Sequence, residues 1–353
     1  MAGASRCWRG TRQPVVARLV ARFALSLCLI GAAGLPASAE SVAPQLGGFE
    51  PAAIAFHPQS SALLLVRGDT GVRVLDFGDP RNPLVRTAIS VRARAAAFMP
   101  DGARIVTGDT GGMLRFWSLD GHEAGAPIRA STAEIESLAV SPSGRFIAVA
   151  DSTLAIRLRH PDGKSLGRPM QMRRQRGEFP CTRIHVAIAP DEKRIAAISC
   201  TNEVAMWSVA GRPIAVPGGR DRYEACCSVR VGFTADGRFL VAVRAYQPGF
   251  GGFVWPLAGV SVGARRDFPR TDSLRDFAML PGGHELLVLD KDGIRRGSAR
   301  DEPRGPTLVP PQPDAYVSAV AASADGTRIA TIEESAVVLR AGDGTLLTRP
   351  PPR

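Results

Sequence analysis

The sequence predicts an all-β fold, a seven-bladed β-propeller of four-stranded antiparallel blades, on three observations. A pattern of strand, tight turn, strand, polar turn and strand recurs seven times along the chain. Its first turn falls at Pro58, Pro100, Pro142, Pro190, Ala235, Pro281 and Ala324, with successive spacings of 42, 42, 48, 45, 46 and 43 residues. The composition agrees, because 45% hydrophobic but only 6% aromatic residues, with 37 glycines and 28 prolines, suit short strands joined by tight turns.

The chain opens on an export signature. Arg6, Arg9, Arg12, Arg18 and Arg22 precede or edge an apolar run over residues 23–35, and Ala37-Ser38-Ala39 supplies a small-x-small cleavage site. Thirteen apolar residues fall short of the ~20 that span a bilayer, so the expectation is a cleaved signal peptide over residues 1–39. Residues 40–353 then form the propeller, periplasmic or secreted, with no transmembrane segment. Removing the signal leaves 39 basic against 33 acidic side chains, a net charge of +6, and nearly all the cations are Arg. Such a balance suits an acidic partner without demanding nucleic acid.

The repeats fill the remainder. The clearest copy, over residues 95–120, reads AAAFMPDGARIVTGDTGGMLRFWSLD. A strand of five or six residues cannot bury its apolar face alone, whereas blades stacked around an axis can. Fourth, outer strands are predicted at residues 84–89, 126–129, 212–216 and 345–348. The last copy is thus expected to complete itself, before Pro350, Pro351 and Pro352 end the pairing, with residues 41–46 free to add a strand there or to drape.

In the second copy Pro100-Asp101-Gly102 makes the first turn, Gly108-Asp109 the second, and Trp117-Ser118 lies on the third strand; Trp207-Ser208 repeats at the same offset. In these features the chain resembles the WD-repeat family over residues 50–349. The resemblance implies a ring of blades and a protein-interaction role. It departs from the family pattern where Leu75-Asp76, Leu158-Arg159 and Leu339-Arg340 stand in place of Trp-Asp pairs, which leaves lactonase-like and periplasmic quinone-enzyme-like propellers open.

No catalytic constellation accompanies the repeats. The five histidines, His57, His122, His160, His185 and His284, fall in different copies without metal-ligand spacing. Gly163-Lys164-Ser165-Leu166-Gly167 matches a nucleophile elbow literally, but it falls in a turn between strands with no helix to follow. Second-turn acids Asp69, Asp109, Asp151, Glu203, Asp290 and Glu333 recur on one face. A cation at Asp69, Asp109 and Asp290 is the weaker reading, and local turn hydrogen bonding the stronger. No cofactor is expected.

The loops leading from each blade to the next open on that same face and carry three arginine clusters: Arg173, Arg174 and Arg176; Arg220 and Arg222; and Arg265, Arg266 and Arg270, with Arg275 beyond. They are read either as a docking surface for an acidic partner or as a rim paired with Glu178, Asp221, Glu224, Asp267, Asp272 and Asp276. Cys181, Cys200, Cys226 and Cys227 remain after export, an even number that favours disulfides. Cys181 with Cys200 is the preferred pair, and Cys200 with Cys226 or Cys227 the competitor. The functional expectation is a monomeric, non-enzymatic scaffold that docks a protein on the Arg-rich face and binds no nucleic acid. The alternative is a propeller enzyme or enzyme subunit, lactonase-like hydrolase or periplasmic oxidoreductase component, using a metal or cofactor near the axis.

Overall fold

The structure, a computed structural model, describes residues 51–68, 70–80, 83–173, 182–200, 203–220, 229–245, 250–267, 274–301, 305–311, 316–334 and 336–348. Among these residues there are strands and turns and no helix. The residues assigned to the signal peptide lie outside the described ones.

Blade 1 comprises β1 (Pro51–His57), β2 (Ser60–Gly68), β3 (Val72–Asp76) and β4 (Leu84–Ile89). Blade 2 follows with β5 (Ala93–Phe98), β6 (Arg104–Asp109), β7 (Met113–Ser118) and β8 (Ile128–Arg129). In blade 3 the strands are β9 (Ile135–Val140), β10 (Ile147–Asp151), β11 (Ala155–Arg159) and β12 (Ser165–Gln171). Blade 4 holds β13 (Ile184–Ile188), β14 (Arg194–Ser199), β15 (Val204–Ser208) and β16 (Pro213–Ile214). Blade 5 has β17 (Val229–Phe233), β18 (Phe239–Ala245) and β19 (Phe250–Ala258), whose outer edge pairs with two short strands, β20 (Ser261–Val262) and β21 (Arg266–Asp267). Blade 6 is β22 (Asp276–Met279), β23 (Glu285–Asp290), β24 (Gly293–Ser298) and β25 (Thr307–Val309). Blade 7 is β26 (Val317–Ala322), β27 (Arg328–Glu333) and β28 (Ala336–Ala341).

Every pairing within a blade is antiparallel between neighbours in sequence, so each blade is a meander with its first strand innermost. The seven predicted copies are the seven blades. The outer strands are shorter than the sequence suggests in blades 2 and 4, and in blade 7 the outer edge is a single bridge, Arg340 with Leu346. There the Leu347 and Thr348 amides both donate to the Leu339 carbonyl (2.9 and 3.1 Å), and Thr348 Oγ1 accepts the Leu339 N–H at 2.8 Å. The chain after β28 therefore covers its own edge, as expected; residues 41–46 lie outside the described ones.

The core explains why the ring closes. Seven apolar clusters lie one at each of the seven blade interfaces. The cluster that joins the last blade to the first sets Ala319, Ile332, Val337 and Leu339 against Ile54, Leu75 and Phe77. Arg328 reinforces that seam by donating to the Ser61 and Phe77 carbonyls at 3.3 and 3.1 Å. Second strands such as β10 and β14 are buried along their whole length, because a blade stacks on each of their faces. This accounts for their continuous apolar runs where a half-buried strand would alternate.

The second turns demand glycine where the outer strand closes over them. Gly112, at φ +79°, and Gly293, at φ +105°, have no room for a Cβ, which would lie 2.3 Å from the Ser131 carbonyl oxygen and 2.0 Å from that of Val309. In blade 3 the same place is held by Leu154 at φ 63°, a buried side chain in a left-handed backbone.

Candidate functional site

The meander puts all first turns on one face of the ring and all second turns on the other, together with the loops that lead from blade to blade. The second-turn acids can therefore be judged directly. Asp109 Oδ1 accepts the Gly111 and Met113 amides, both at 2.9 Å, and Oδ2 meets Arg115 Nε at 3.4 Å. Asp151, 1% exposed, accepts the Thr153 amide at 2.9 Å, the Ser131 hydroxyl at 2.6 Å and the Arg157 guanidinium. Asp290 takes the Asp292 amide at 2.8 Å and pairs with Arg295. Glu333 pairs with buried Arg340 at 2.8 Å and accepts the Thr331 hydroxyl at 2.7 Å. Each of these four carboxylates is paired with an arginine of the next strand, and Asp109, Asp151 and Asp290 also accept amides of their own turns. Among the described residues no three His, Cys, Asp or Glu side chains converge as a metal site. Asp69 lies outside the described residues.

Four of the eight nominated arginines are described, and the structure brings three of them onto neighbouring blades. Arg220 Nε donates to Glu203 at 3.1 Å, and the same carboxylate accepts the Arg173 backbone amide at 3.0 Å, tying the loop after blade 3 to blade 4. Arg265 donates to the Gly218 carbonyl at 2.9 Å and stacks on Phe253 at 4.5 Å, which ties blade 5 to blade 4. Arg266 donates to the Arg300 and Ala299 carbonyls of blade 6 at 2.8 and 2.9 Å. These side chains clamp blade to blade while keeping their charge on the rim. Arg174, Arg176, Arg222 and Arg270 lie outside the described residues, as do Cys181, Cys226 and Cys227. Cys200 follows β14, is buried, and donates its amide to the Arg183 carbonyl at 3.0 Å. The register thus sets Arg183, two residues from the symmetric position, opposite Cys200.

Around the axis on this face the structure gathers charges that the sequence reading missed. Arg94 occupies a bulge in β5, and its Nε donates to Glu134 and lies 3.9 Å from Glu136, itself in a bulge of β9. Burial pushes Glu136 above the ordinary glutamate range against the pull of Arg94. Arg67, near the end of β2, is pushed down by burial and then by Arg94, with Glu136 opposing and Arg183 adding. Arg94 and Glu136 stand on the innermost strands of blades 2 and 3, so they meet beside the axis. The signal was present: Arg94 and Glu136 each stand six residues before the first-turn proline of their copies, where Ala52 and Ser318 stand in others.

On the far side of the same opening Arg230 Nη1 bridges both Asp276 oxygens at 2.6 and 2.7 Å. Asp276 also accepts the Val320 amide at 3.0 Å, so blades 5, 6 and 7 share one carboxylate. His185 is pushed down to about 3 by burial, with Arg230 adding to the shift, and is neutral at physiological pH. Arg275 lies over the exposed Tyr316 ring at 4.6 Å.

The first-turn face is laced by contacts between turns. His57 Nε2 donates to the Gly102 carbonyl at 2.8 Å. The Ser143 amide and hydroxyl both donate to Glu192, at 2.5 and 2.9 Å. Arg194, 6% exposed in its side chain, reaches Asp191, the Gly237 carbonyl and the Gly259 carbonyl at 2.9, 3.2 and 2.9 Å. The Asp236 amide donates to the Gly283 carbonyl at 3.1 Å.

Blade 2 shows how the repeat is built. Trp117 Nε1 donates to Thr107 Oγ1 at 2.9 Å, bracing the third strand on the second. Residues 87–118, which end on Trp117-Ser118, match the family model described as "WD domain, G-beta repeat". The chain is a WD-repeat-like propeller. Where the propeller lacks the tryptophan, Leu75, Leu158 and Leu339 are buried in the interface clusters and fill the space with hydrocarbon alone. Among solved structures it is similar to Kuenenia stuttgartiensis hydrazine synthase, at 16% identity over 88% of this chain and 99% of that one, with a TM-score of 0.62. At that identity the likeness is one of fold. Among curated proteins nothing matches.

Proposed function

We propose that this propeller is an exported, non-enzymatic interaction scaffold that docks an acidic protein partner on its second-turn face. The observation that carries the reading is the state of the charges there. The described second-turn carboxylates are each paired with an arginine, and Asp109, Asp151 and Asp290 also with amides of their own turns, while cationic rim side chains from different blades share that face. Charge complementarity of this kind steers and orients a partner more than it adds affinity. The fold supports the class of function, because a ring of blades presents one broad face without requiring any bond-making group.

Export is part of the same reading. It is supported by the arginine-flanked apolar run and the Ala37-Ser38-Ala39 site. A structural disulfide fits that compartment, and the buried Cys200 is the described cysteine it would use. Among the described residues no helix is long and apolar enough to cross a membrane.

The test is affinity capture from a periplasmic extract with the purified mature protein, beside the charge-reversal variant Arg173→Glu, Arg174→Glu, Arg176→Glu. A partner recovered by the parent and lost by the variant is the expected result. Equal recovery by both, or none by either, contradicts the docking reading. N-terminal sequencing of the exported protein is expected to begin at Glu40; a chain that retains its first 39 residues contradicts cleavage.

A further inference from the structure

We propose that Tyr316 and Arg275 form the anchor of the docking face, a cation over an exposed ring that takes an acidic protein segment with an apolar side chain beside its carboxylates. The inference rests on reading the second-turn face as a docking surface and deepens it, since it names the chemistry of the segment and the place that grips it.

The two residues hold one place in successive blades. Arg275 immediately precedes β22, and Tyr316 immediately precedes β26, the innermost strands of blades 6 and 7. Each is pinned by its backbone where its own blade's second strand ends. The Arg275 amide donates to the Leu289 carbonyl at 2.8 Å, and the Tyr316 carbonyl accepts the Glu334 amide at 2.9 Å. A like link recurs in blades 2, 3 and 4, where the carbonyls of Arg92, Glu134 and Arg183 accept the Thr110, Ser152 and Cys200 amides at 3.3, 2.8 and 3.0 Å. These positions therefore surround the axial opening on a fixed backbone. Beside the pair, Asp276 accepts the Val320 amide at 3.0 Å and so stitches blade 6 to blade 7. A grip built there is in place before a partner arrives, which lowers the ordering cost of binding.

The side chains on this backbone have no work in the core. Among the described aromatic residues Tyr316 is the exposed one, at 56%, while rings such as Phe77, Phe146 and Trp255 are buried between blades. The interface of blades 6 and 7 is filled without it, by Leu280, Leu289, Val309 and Val320. Arg275 lies over the Tyr316 ring at 4.6 Å, and its guanidinium makes no hydrogen bond or ion pair among the described residues. Its neighbours are engaged: Arg230 by Asp276, and Arg266 by the Ala299 and Arg300 carbonyls. A guanidinium held over a ring keeps N–H donors for a carboxylate. Tyr and Arg also dominate interface energetics, because they combine large contact area with pre-organised polar groups. Charge complementarity makes the occupant acidic, since Arg92 is exposed at the matching place in blade 2 and Glu134, in blade 3, is taken by Arg94. The ring adds the second requirement, an apolar or aromatic side chain next to the acid.

The experiment is fluorescence anisotropy of labelled poly-glutamate and of a labelled random glutamate–tyrosine copolymer, each titrated with the purified mature protein at one ionic strength. Both polymers are expected to bind, the copolymer ~10-fold or more tightly than poly-glutamate, the effect of one interface anchor. Tyr316→Ala is expected to erase that preference and Tyr316→Phe to keep it, because the ring carries the grip. Arg275→Gln is expected to weaken both polymers, with the urea midpoint of each variant unchanged. A copolymer bound no tighter than poly-glutamate, a preference that survives Tyr316→Ala, or no binding of either polymer overturns the anchor. The rim variant Arg173→Glu, Arg174→Glu, Arg176→Glu separates the two readings. A copolymer preference that persists in it supports the anchor even where partner capture fails. Partner capture lost in the rim variant, with the copolymer preference untouched by Tyr316→Ala, leaves docking standing and overturns the anchor.

Discussion

On the first-turn face the carboxylates Asp101, Glu192, Asp236 and Asp325 are all held below their ordinary range, whereas on the opposite face Glu136 is pushed above it. Asp325 falls to about 2 because the Ser323 hydroxyl and the Thr327 amide donate to it. At Asp101, Glu192 and Asp236 burial opposes the shift, but hydrogen bonds from arginine, serine and threonine outweigh it. Glu136 lacks such donors, and burial decides. The lesson is that one face uses its charges to hold turns together. The other sets Glu136, raised by burial, beside second-turn carboxylates such as Asp151 that hydrogen bonds hold low against burial.

That contrast can be attacked from the strongest contact downward. Arg194→Ala removes a buried guanidinium that joins three carbonyl or carboxylate groups across blades 4 and 5, and should cost about 2–3 kcal/mol, read as a lower urea midpoint. Glu192→Gln weakens two hydrogen bonds from Ser143 between blades 3 and 4 and should cost about 1 kcal/mol by the same measurement. Arg67→Ala, on the other face, should change stability by no more than about 0.5 kcal/mol in either direction, since no hydrogen bond or salt bridge of its side chain is seen among the described residues.

Acid separates Asp325 and Glu136 by sign. A depressed carboxylate such as Asp325 contributes stability that is fully present above its unfolded value and lost as pH falls through its folded one. The first-turn contribution should therefore fade between pH ~4 and ~2. Glu136 behaves oppositely, because its raised value disfavours the ionised folded form, and protonation on acidification relieves that cost. Urea midpoints measured from pH 6 downward should fall less steeply below pH 4 in Asp325→Asn than in the parent. Glu136→Gln should gain most near neutrality and lose that gain in acid.

Much of the fold was legible because the repeat carries its own punctuation. Pro100-Asp101-Gly102 and its relatives mark the first turns, and continuous apolar runs such as the IAAI of residues 195–198 mark the second strands. Outer strands were less legible: they pair on one edge only, and two-residue strands such as Ile128–Arg129 leave no periodic trace. The site divides likewise. The second-turn acids sit in their own turns, so local sequence was enough to read them. Arg265 and Arg266 were nominated for docking, yet their donors reach backbone carbonyls of neighbouring blades, which have no sequence signature. Arg94 and Glu136 escaped notice because only strand register shows the bulges they occupy, and only the ring brings the two together.

The account rests on contacts between turns holding the first-turn face together, and urea denaturation of Arg194→Ala beside Arg67→Ala tests it most directly. It predicts that Arg194→Ala unfolds at lower urea while Arg67→Ala unfolds close to the parent. Equal destabilisation by both substitutions would contradict it.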